Sequence, residues 1–425
     1  MKDFIWHSNE ENSLKQKTKW DLSVMYSALK SLGDPHKNIE KRVIHIAGTN
    51  GKGSTASYIK TILESSGYKV GLFTSPHLVK YNERIYANNR FITDNEIKKY
   101  KQQIVTKCKN ANKISFFEAT TLIAILFFSE LQKTKKLDYF IFEVGLGGRL
   151  DATNVFKKPL VSVITSISLD HVEKLGDTIT KIAHEKGGII KPKVPVFTSN
   201  TNKEIIKELQ RIADKKNTKL FRLNKDFNLY KNIAPSLAGE HQIYNSTLAG
   251  EVCKFIGIKQ KNIKQGLTTT TWNGRLQQIE LKKINKKTIG ISKIYIDGAH
   301  NEDGIRVLCN FINQTYNEYL KNDKKPNIIC IFACLERKDY KSFFPILKTV
   351  KLNNLLFFDV PKNVNNFADV KNLLNLAEKH KIKNKNIIKS FTEIKKYTDK
   401  SKNNIIFIFG SLYFIGWILE NHTKK

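Results

Sequence analysis

Four short runs carry residue types able to handle phosphate, metal and protons. The first is Gly48-Thr49-Asn50-Gly51-Lys52-Gly53-Ser54. Glycines there let the backbone turn and bring its N–H groups against phosphate oxygens. A helix N-terminus behind them adds partial positive charge, Lys52 reaches the outer phosphates, and the Ser54 hydroxyl suits Mg2+. The spacing departs from G-x-x-x-x-G-K-[ST], because only Thr49 and Asn50 separate Gly48 from Gly51, and Gly53 follows the lysine. The plain alternative is a glycine-rich turn with an incidental lysine; a strand before and a helix after favour the phosphate loop. The second run is Phe142–Asp151 (FEVGLGGRLD), where Glu143 ends an apolar stretch. Open α/β sheets place ligands at such strand ends, and a carboxylate there binds Mg2+ directly or through water. The third, Ser166–His171 (SISLDH), brings Asp170 and His171 past another apolar stretch. The fourth, Asp297–Asn301 (DGAHN), sets Asp297 and His300 after a strand in the second half of the chain. It is either a nucleotide-facing surface that domain closure brings into use or an ordinary strand-to-helix turn.

Strands must hold these runs. Val43–Ala47, Lys69–Thr74, Tyr139–Val144 and Leu160–Thr165 are short apolar strand candidates; Ser54–Ser66 and Phe116–Leu131 have the apolar spacing of helices. The alternation restarts with strands at Lys293–Ile296, Asn327–Phe332, Asn354–Asp359 and Asn404–Phe409, and helices at Asp303–Tyr316, Tyr340–Thr349 and Val370–His380. This order predicts parallel sheets covered on both faces. The lysine-rich stretch Leu281–Thr288 marks a boundary near residue 285. The expectation is an α/β protein: an N-terminal P-loop-type ATPase domain (1–285) with a mostly parallel sheet, and a smaller Rossmann-like α/β domain (286–425).

A chain of 425 residues with 40% hydrophobic residues suits two globular domains. No apolar run approaches the ~18 residues that span a bilayer, and the N-terminus lacks a signal-peptide pattern. The reading is a cytoplasmic enzyme without membrane association. Five scattered cysteines, Cys108, Cys253, Cys309, Cys330 and Cys334, read as reduced thiols and not as a zinc site. The formal charge of +33 raises nucleic acid as a partner. Its lysines are spread along the chain, however, without a base-stacking module, so no nucleic acid is expected; the positive field suits anionic small molecules. A monomer is expected.

Together the motifs are specific. HIAGTNGKGST, LFTSPHLVKYNERI, FEVGLGGRLDATN, TSISLDHVEKLG and HEKGGIIKP, followed by LAGEHQIYN, WNGRL, IDGAHN and FGSLYFIG, run in order over about residues 20 to 420. The chain resembles the folylpolyglutamate synthase/dihydrofolate synthase family of the Mur-ligase superfamily. That resemblance implies ATP as cosubstrate, bound at Gly48–Ser54 with Asn245 and Arg275. It implies two Mg2+ sites drawing on Ser75, Glu143, His171 and a carbamylated Lys186, and it has Asp297 and His300 contributing to the nucleotide contact from the second domain. Ser75, Pro76, His77, Tyr81 and Arg84 would help form a pterin pocket. Lys52, Lys186 and His300 are the expected catalytic residues. The implied reaction joins L-glutamate to 7,8-dihydropteroate and to reduced folates through an acyl phosphate. A member with one of these activities, or another Mur-type amino-acid ligase, is the alternative. Three departures stand out: Gly187 where alanine is usual after the lysine, Glu302 where proline is usual after His300-Asn301, and an early segment, DLSVMYSALKSLGDP, without the common acidic–basic pair.

Overall fold

A computed structural model describes residues 21–134, 136–282, 290–321 and 325–423. It divides into two compact units. The first comprises the described parts of Met1–His77, Tyr81–Ser236 and Gln242–Thr270; the second comprises those of Leu78–Lys80, Leu237–His241 and Thr271–Lys425. The boundary expected near residue 285 falls in 283–289, outside the described residues. The second unit takes up the chain from Thr271, because Gln277–Gln278 pair into its sheet and Leu276, Ile279 and Leu281 pack in its core.

In the first unit, the strands among the described residues are β1 (Val43–Ala47), β2 (Val70–Phe73), β3 (Ile85–Ala87), β4 (Arg90–Phe91), β5 (Tyr139–Glu143), β6 (Val161–Ile164), β7 (Val196–Thr198) and β8 (Leu220–Arg222). They form one sheet in the order β4-β3-β2-β5-β1-β6-β7-β8. Only β3 and β4 run antiparallel to their neighbours. Its helices among the described residues are α1 (Ser23–Ser31), α2 (Lys52–Ser65), α3 (Asp94–Lys107), α4 (Phe116–Lys133), α5 (Val172–Leu175), α6 (Ile179–Gly187), α7 (Lys203–Lys215), α8 (His241–Phe255, whose first residue is counted with the second unit) and α9 (Gln260–Thr269). The starts of α3 and α4 are written in the sequence: Thr93 with Glu96, and Ser115 with Glu118, form reciprocal capping boxes. One sheet face is filled by Phe73, Phe127, Phe128, Phe140, Phe142 and Phe156. The other carries Ile164, Ile182, Ile189, Leu209 and Ile212. Each such side chain stabilises by about 1.5–3 kcal/mol when fully buried, and β1, an interior strand, is buried along its whole length.

The second unit has its own sheet, from β9 (Gln277–Gln278), β10 (Ile291–Asp297), β11 (Asn327–Phe332), β12 (Asn354–Phe358), β13 (Lys385–Ile388) and β14 (Asn404–Phe409), in the order β13-β12-β11-β14-β10-β9. Only β9 is antiparallel. Its helices among the described residues are α10 (Glu302–Lys321), α11 (Phe343–Leu347), α12 (Val370–Lys379) and α13 (Leu412–Asn421). The helix expected over Tyr340–Thr349 is shorter: a 3-10 turn at Tyr340–Ser342 leads into α11, which closes as Thr349 N–H bonds back three residues to Ile346.

All five cysteines are unpaired and buried, and burial raises every thiol above its ordinary value. No described helix is long and apolar enough to cross a membrane.

Candidate active site

β1 sits between β5 and β6, with Ile46 beside Glu143 and Ala47 beside Ile164. The parallel register therefore delivers Gly48, Val144 and Thr165 to one edge of the sheet. Past that edge the chain turns into α2, with Gly51 at φ +82° as its N-terminal cap, a left-handed conformation that glycine adopts without strain. Thr165 locks the turn. Its hydroxyl donates to the Asn50 carbonyl at 2.7 Å, and a side chain on Gly48 would lie 1.8 Å from that hydroxyl. Thr49 is tied to the loop after β6, its N–H donating to Ser166 O at 2.7 Å and its Oγ1 accepting from Ser168 N–H at 3.1 Å. From α8, Asn245 lies against Gly51, where an added Cβ would be 2.3 Å from its Oδ1. Asn245 donates to Gln242, and Gln242 to the Ser54 hydroxyl. Asn245, expected at the nucleotide, thus also supports the loop.

Lys52 and Lys186 meet at one atom. The Lys52 amine donates to Gly48 O and Thr49 O, both at 3.1 Å, and the Lys186 amine donates to Gly48 O at 2.9 Å. Lys186 is 4% exposed. Burial, and then the charge of Lys52, push its pKa down to about 7. Lys186 lies at the end of α6, against the Gly147-Gly148 turn: a Cβ on Gly148 would be 2.9 Å from the carbonyls of Glu185 and Lys186. Gly187, the departure from alanine, also has a packing cause. A Cβ there would lie 2.5 Å from Ile212 Cδ1 and 3.3 Å from Leu209 Cδ2, both on α7.

Glu143 is buried, and its Oε2 accepts the Ser75 N–H at 3.1 Å. The turn after it is held by Asp151, whose carboxylate accepts from the N–H groups of Gly145 and Leu146 and from Thr153. Thr153 in turn meets His45 Nε2 at 2.8 Å. Since the Thr153 hydroxyl donates to Asp151, His45 carries its proton on Nε2, and its buried Nδ1 has no partner. His171 caps α5 with φ +51°, its ring 3.8 Å from Asp170 and 3.7 Å from Glu173. Among the described residues no three His, Cys, Asp or Glu side chains form a metal cluster. The Glu143 carboxylate and Ser75, adjacent in sequence-distant loops, are nonetheless oxygen donors of the kind Mg2+ takes alongside phosphate and water. Of the expected four metal residues, Ser75 and Glu143 are paired, Lys186 lies with Lys52 at the phosphate loop, and the His171 ring stands beside Asp170 and Glu173.

The expected substrate loop begins with a cis Ser75-Pro76 bond. Arg84, 2% exposed, donates to His77 Nδ1 at 2.8 Å and lies 5.4 Å from the Phe116 ring. Tyr81 donates to Thr120 Oγ1 at 3.1 Å and packs on His77 and Phe116. A guanidinium among three rings offers stacking and charge together.

In the second unit, Asp297, Phe409 and Phe332 are level at the carboxyl edge of β10, β14 and β11. Asp297 accepts from the N–H groups of Leu276 and Ala299; burial raises its pKa and Arg275 opposes that rise. His300 Nδ1 donates to Gly298 O at 2.7 Å. A carbonyl can only accept, so neutral His300 keeps its lone pair on Nε2. Glu302, where proline was expected, opens α10: it pairs with Arg306 at 2.9 Å and, with Asp303, puts negative charge in the first turn.

Sequence reasoning gave no role to His45, Thr153 and Thr165, which lie inside the quoted motifs, or to Asn200, which lies outside them. Each acts on residues distant in the chain, and nothing in its local spacing announces that.

This architecture is that of a Mur-type ligase. The Mur ligase middle domain model matches residues 46–232, and the dihydrofolate synthetase C-terminal domain model matches 277–421. The chain is 33% identical to dihydrofolate synthase/folylpolyglutamate synthase of Bacillus subtilis, covering 95% of each chain. It is 32% identical to folylpolyglutamate synthase of Lacticaseibacillus casei, over 73% of this chain and 75% of that one. The crystal structure of folylpolyglutamate synthase from Thermotoga maritima superposes with a TM-score of 0.78 at 30% identity, covering 96% and 95% of the two chains. The chain belongs to the dihydrofolate synthase/folylpolyglutamate synthase family.

Proposed function

We propose that this protein is an ATP-dependent ligase that joins L-glutamate to 7,8-dihydropteroate and to reduced folates. The observation that carries the reading is the shared edge of β1, β5 and β6, where the phosphate loop, Lys52 and Glu143 are set side by side. A carboxylate does not react with an amine in water, because its charge repels nucleophiles and oxide is a poor leaving group. Attack of a carboxylate oxygen on the γ-phosphorus of ATP makes an acyl phosphate and releases ADP. The glutamate amine then attacks the acyl carbon, phosphate leaves, and the nitrogen loses a proton. The first step asks mainly for charge neutralisation and alignment. Lys52, the loop N–H groups and the start of α2 supply positive potential there. Ser75, Glu143 and His171 are assigned to divalent cations, which when bound would offset phosphate charge. The His77–Arg84 cluster is assigned to the pterin. In the second unit, Arg275 and Asp297 are assigned to the nucleotide and His300 to the amine proton. These second-unit assignments rest on motif order, and for His300 also on its basic Nε2.

We further propose that Lys186 is carbamylated, its neutral amine adding CO2 and releasing a proton to give an anionic oxygen ligand. A buried amine with a pKa near 7 supports this, because only the neutral form is nucleophilic. At fixed dissolved CO2, 13C label on Lys186 should rise from pH 6 to pH 8, as the neutral fraction grows from about a tenth to about nine tenths. Flat labelling would count against it.

The deciding assay is ADP release with Mg2+, bicarbonate and L-glutamate, with dihydropteroate and tetrahydrofolate supplied separately. Turnover with both establishes a bifunctional enzyme, and turnover with one restricts it to that activity. Nucleotide binding without turnover on either would turn the reading to another Mur-type amino-acid ligase.

A further inference from the structure

The loop after β6 connects the phosphate loop to Asp170 and His171; its last backbone bond into β1 is Thr165 N–H to Ala47 O at 2.9 Å, one residue beyond Ile164. On one side it holds the phosphate loop, through the Thr165 hydroxyl on Asn50 O and Ser166 O under the Thr49 N–H. On its other side one side chain holds it. Asn200 lies two residues beyond β7 and is 7% exposed. Its Oδ1 accepts the Ile167 N–H at 3.0 Å, and its Nδ2 donates to Thr165 O and to Thr198 Oγ1, both at 2.7 Å. The backbone N–H can only donate and the carbonyl can only accept, so the orientation of the amide is fixed by its partners. Thr165 and Thr198 are fully buried; water cannot replace these bonds without opening the sheet edge.

We propose that Asn200 is a positioning residue for the phosphate loop. By fixing both backbone groups that flank Ser166, it keeps Thr165 and Ser166 where they hold Asn50 and Thr49. The loop then presents its N–H groups without reordering when a nucleotide arrives, which is where preorganisation gains affinity. The inference rests on reading Gly48–Ser54 as the nucleotide phosphate site, and adds to it a residue outside every recognised motif.

The test compares wild type, Asn200→Ala, Asn200→Asp and Ser162→Ala. Aspartate keeps the acceptor for Ile167 and loses both donors. Ser162 is a buried control on β6 whose hydroxyl donates to Ile189 O at 2.9 Å, away from the loop. Binding of AMPPNP with Mg2+ is titrated, KM is measured for ATP, L-glutamate and tetrahydrofolate, and amide exchange is followed over residues 47–54. The expectation for both Asn200 variants is AMPPNP affinity about tenfold weaker and a raised KM for ATP. KM for the other two substrates stays within about twofold, and exchange over 47–54 speeds up. Ser162→Ala should lower the melting temperature while leaving affinity and exchange as they were. The inference is overturned if Asn200→Asp and Asn200→Ala bind AMPPNP within about twofold of wild type, or if Ser162→Ala weakens binding as much. A wild type that binds no AMPPNP would instead overturn the phosphate-site reading, and exchange over 47–54 would still decide whether Asn200 holds the loop.

Discussion

His45 shows how a single buried residue sets a property of its unit. It is fully buried in β1, it touches Thr153, and burial, with the charge of Lys191, lowers its pKa to about 3. Its folded pKa lies below the unfolded value of about 6.5. The unfolded chain therefore takes up the proton first, so stability is intact above about pH 6.5 and is lost as pH falls toward 3. Between pH 7 and 5 the cost is about 2 kcal/mol in the first unit. Urea unfolding at the two pH values should show this loss in wild type and a smaller one in His45→Asn. Equal losses would mean that His45 is protonated in the folded protein. His241, lowered to about 4 by burial and Arg275, acts with the same sign in the second unit.

At the scale of elements, the contact between α6 and α7 is tuned to this chain. Gly187 has no Cβ where Ile212 Cδ1 already stands 2.5 Å from the position it would take. Gly187→Ala should cost about 1–3 kcal/mol by overpacking, and adding Ile212→Val should restore most of it. Thermal melts of the single and double variants check this; no rescue would place the strain elsewhere. The sequence announced α6 only through the HEKGGIIKP motif, and it did not announce Ile212 as the reason for the glycine. Long apolar strands such as Val43–Ala47 and Asn404–Phe409 were legible because burial on both faces writes an unbroken apolar run. The strands at or next to the sheet margins, β3, β4, β7, β8, β9 and β13, went unread: each is two to four residues long and owes its state to a neighbour rather than to its own composition. The same distinction holds at the site. Lys52, Glu143 and His300 sit in motifs that name their chemistry, whereas Asn200 lies outside them and Thr165, although it opens TSISLDHVEKLG, is given its part by contacts with the phosphate loop.

At the scale of the whole molecule, the charge of +33 is too dispersed to define a docking stripe but large enough to bias diffusion. ATP and a multiply charged folate are both anionic. Raising NaCl from about 50 to about 300 mM should lower kcat/KM for ATP by about threefold or more, with kcat little changed. A salt-independent kcat/KM would show that the field does no steering.

Every one of the five thiols lies inside one of the two units: Cys108 and Cys253 in the first, Cys309, Cys330 and Cys334 in the second. A colourless reagent that turns yellow on meeting a thiolate should therefore stay colourless against the native protein. As denaturant rises, colour for two equivalents reports the opening of one unit and colour for three the opening of the other. The chain thus carries a built-in clock for asking whether its halves come apart together or in turn.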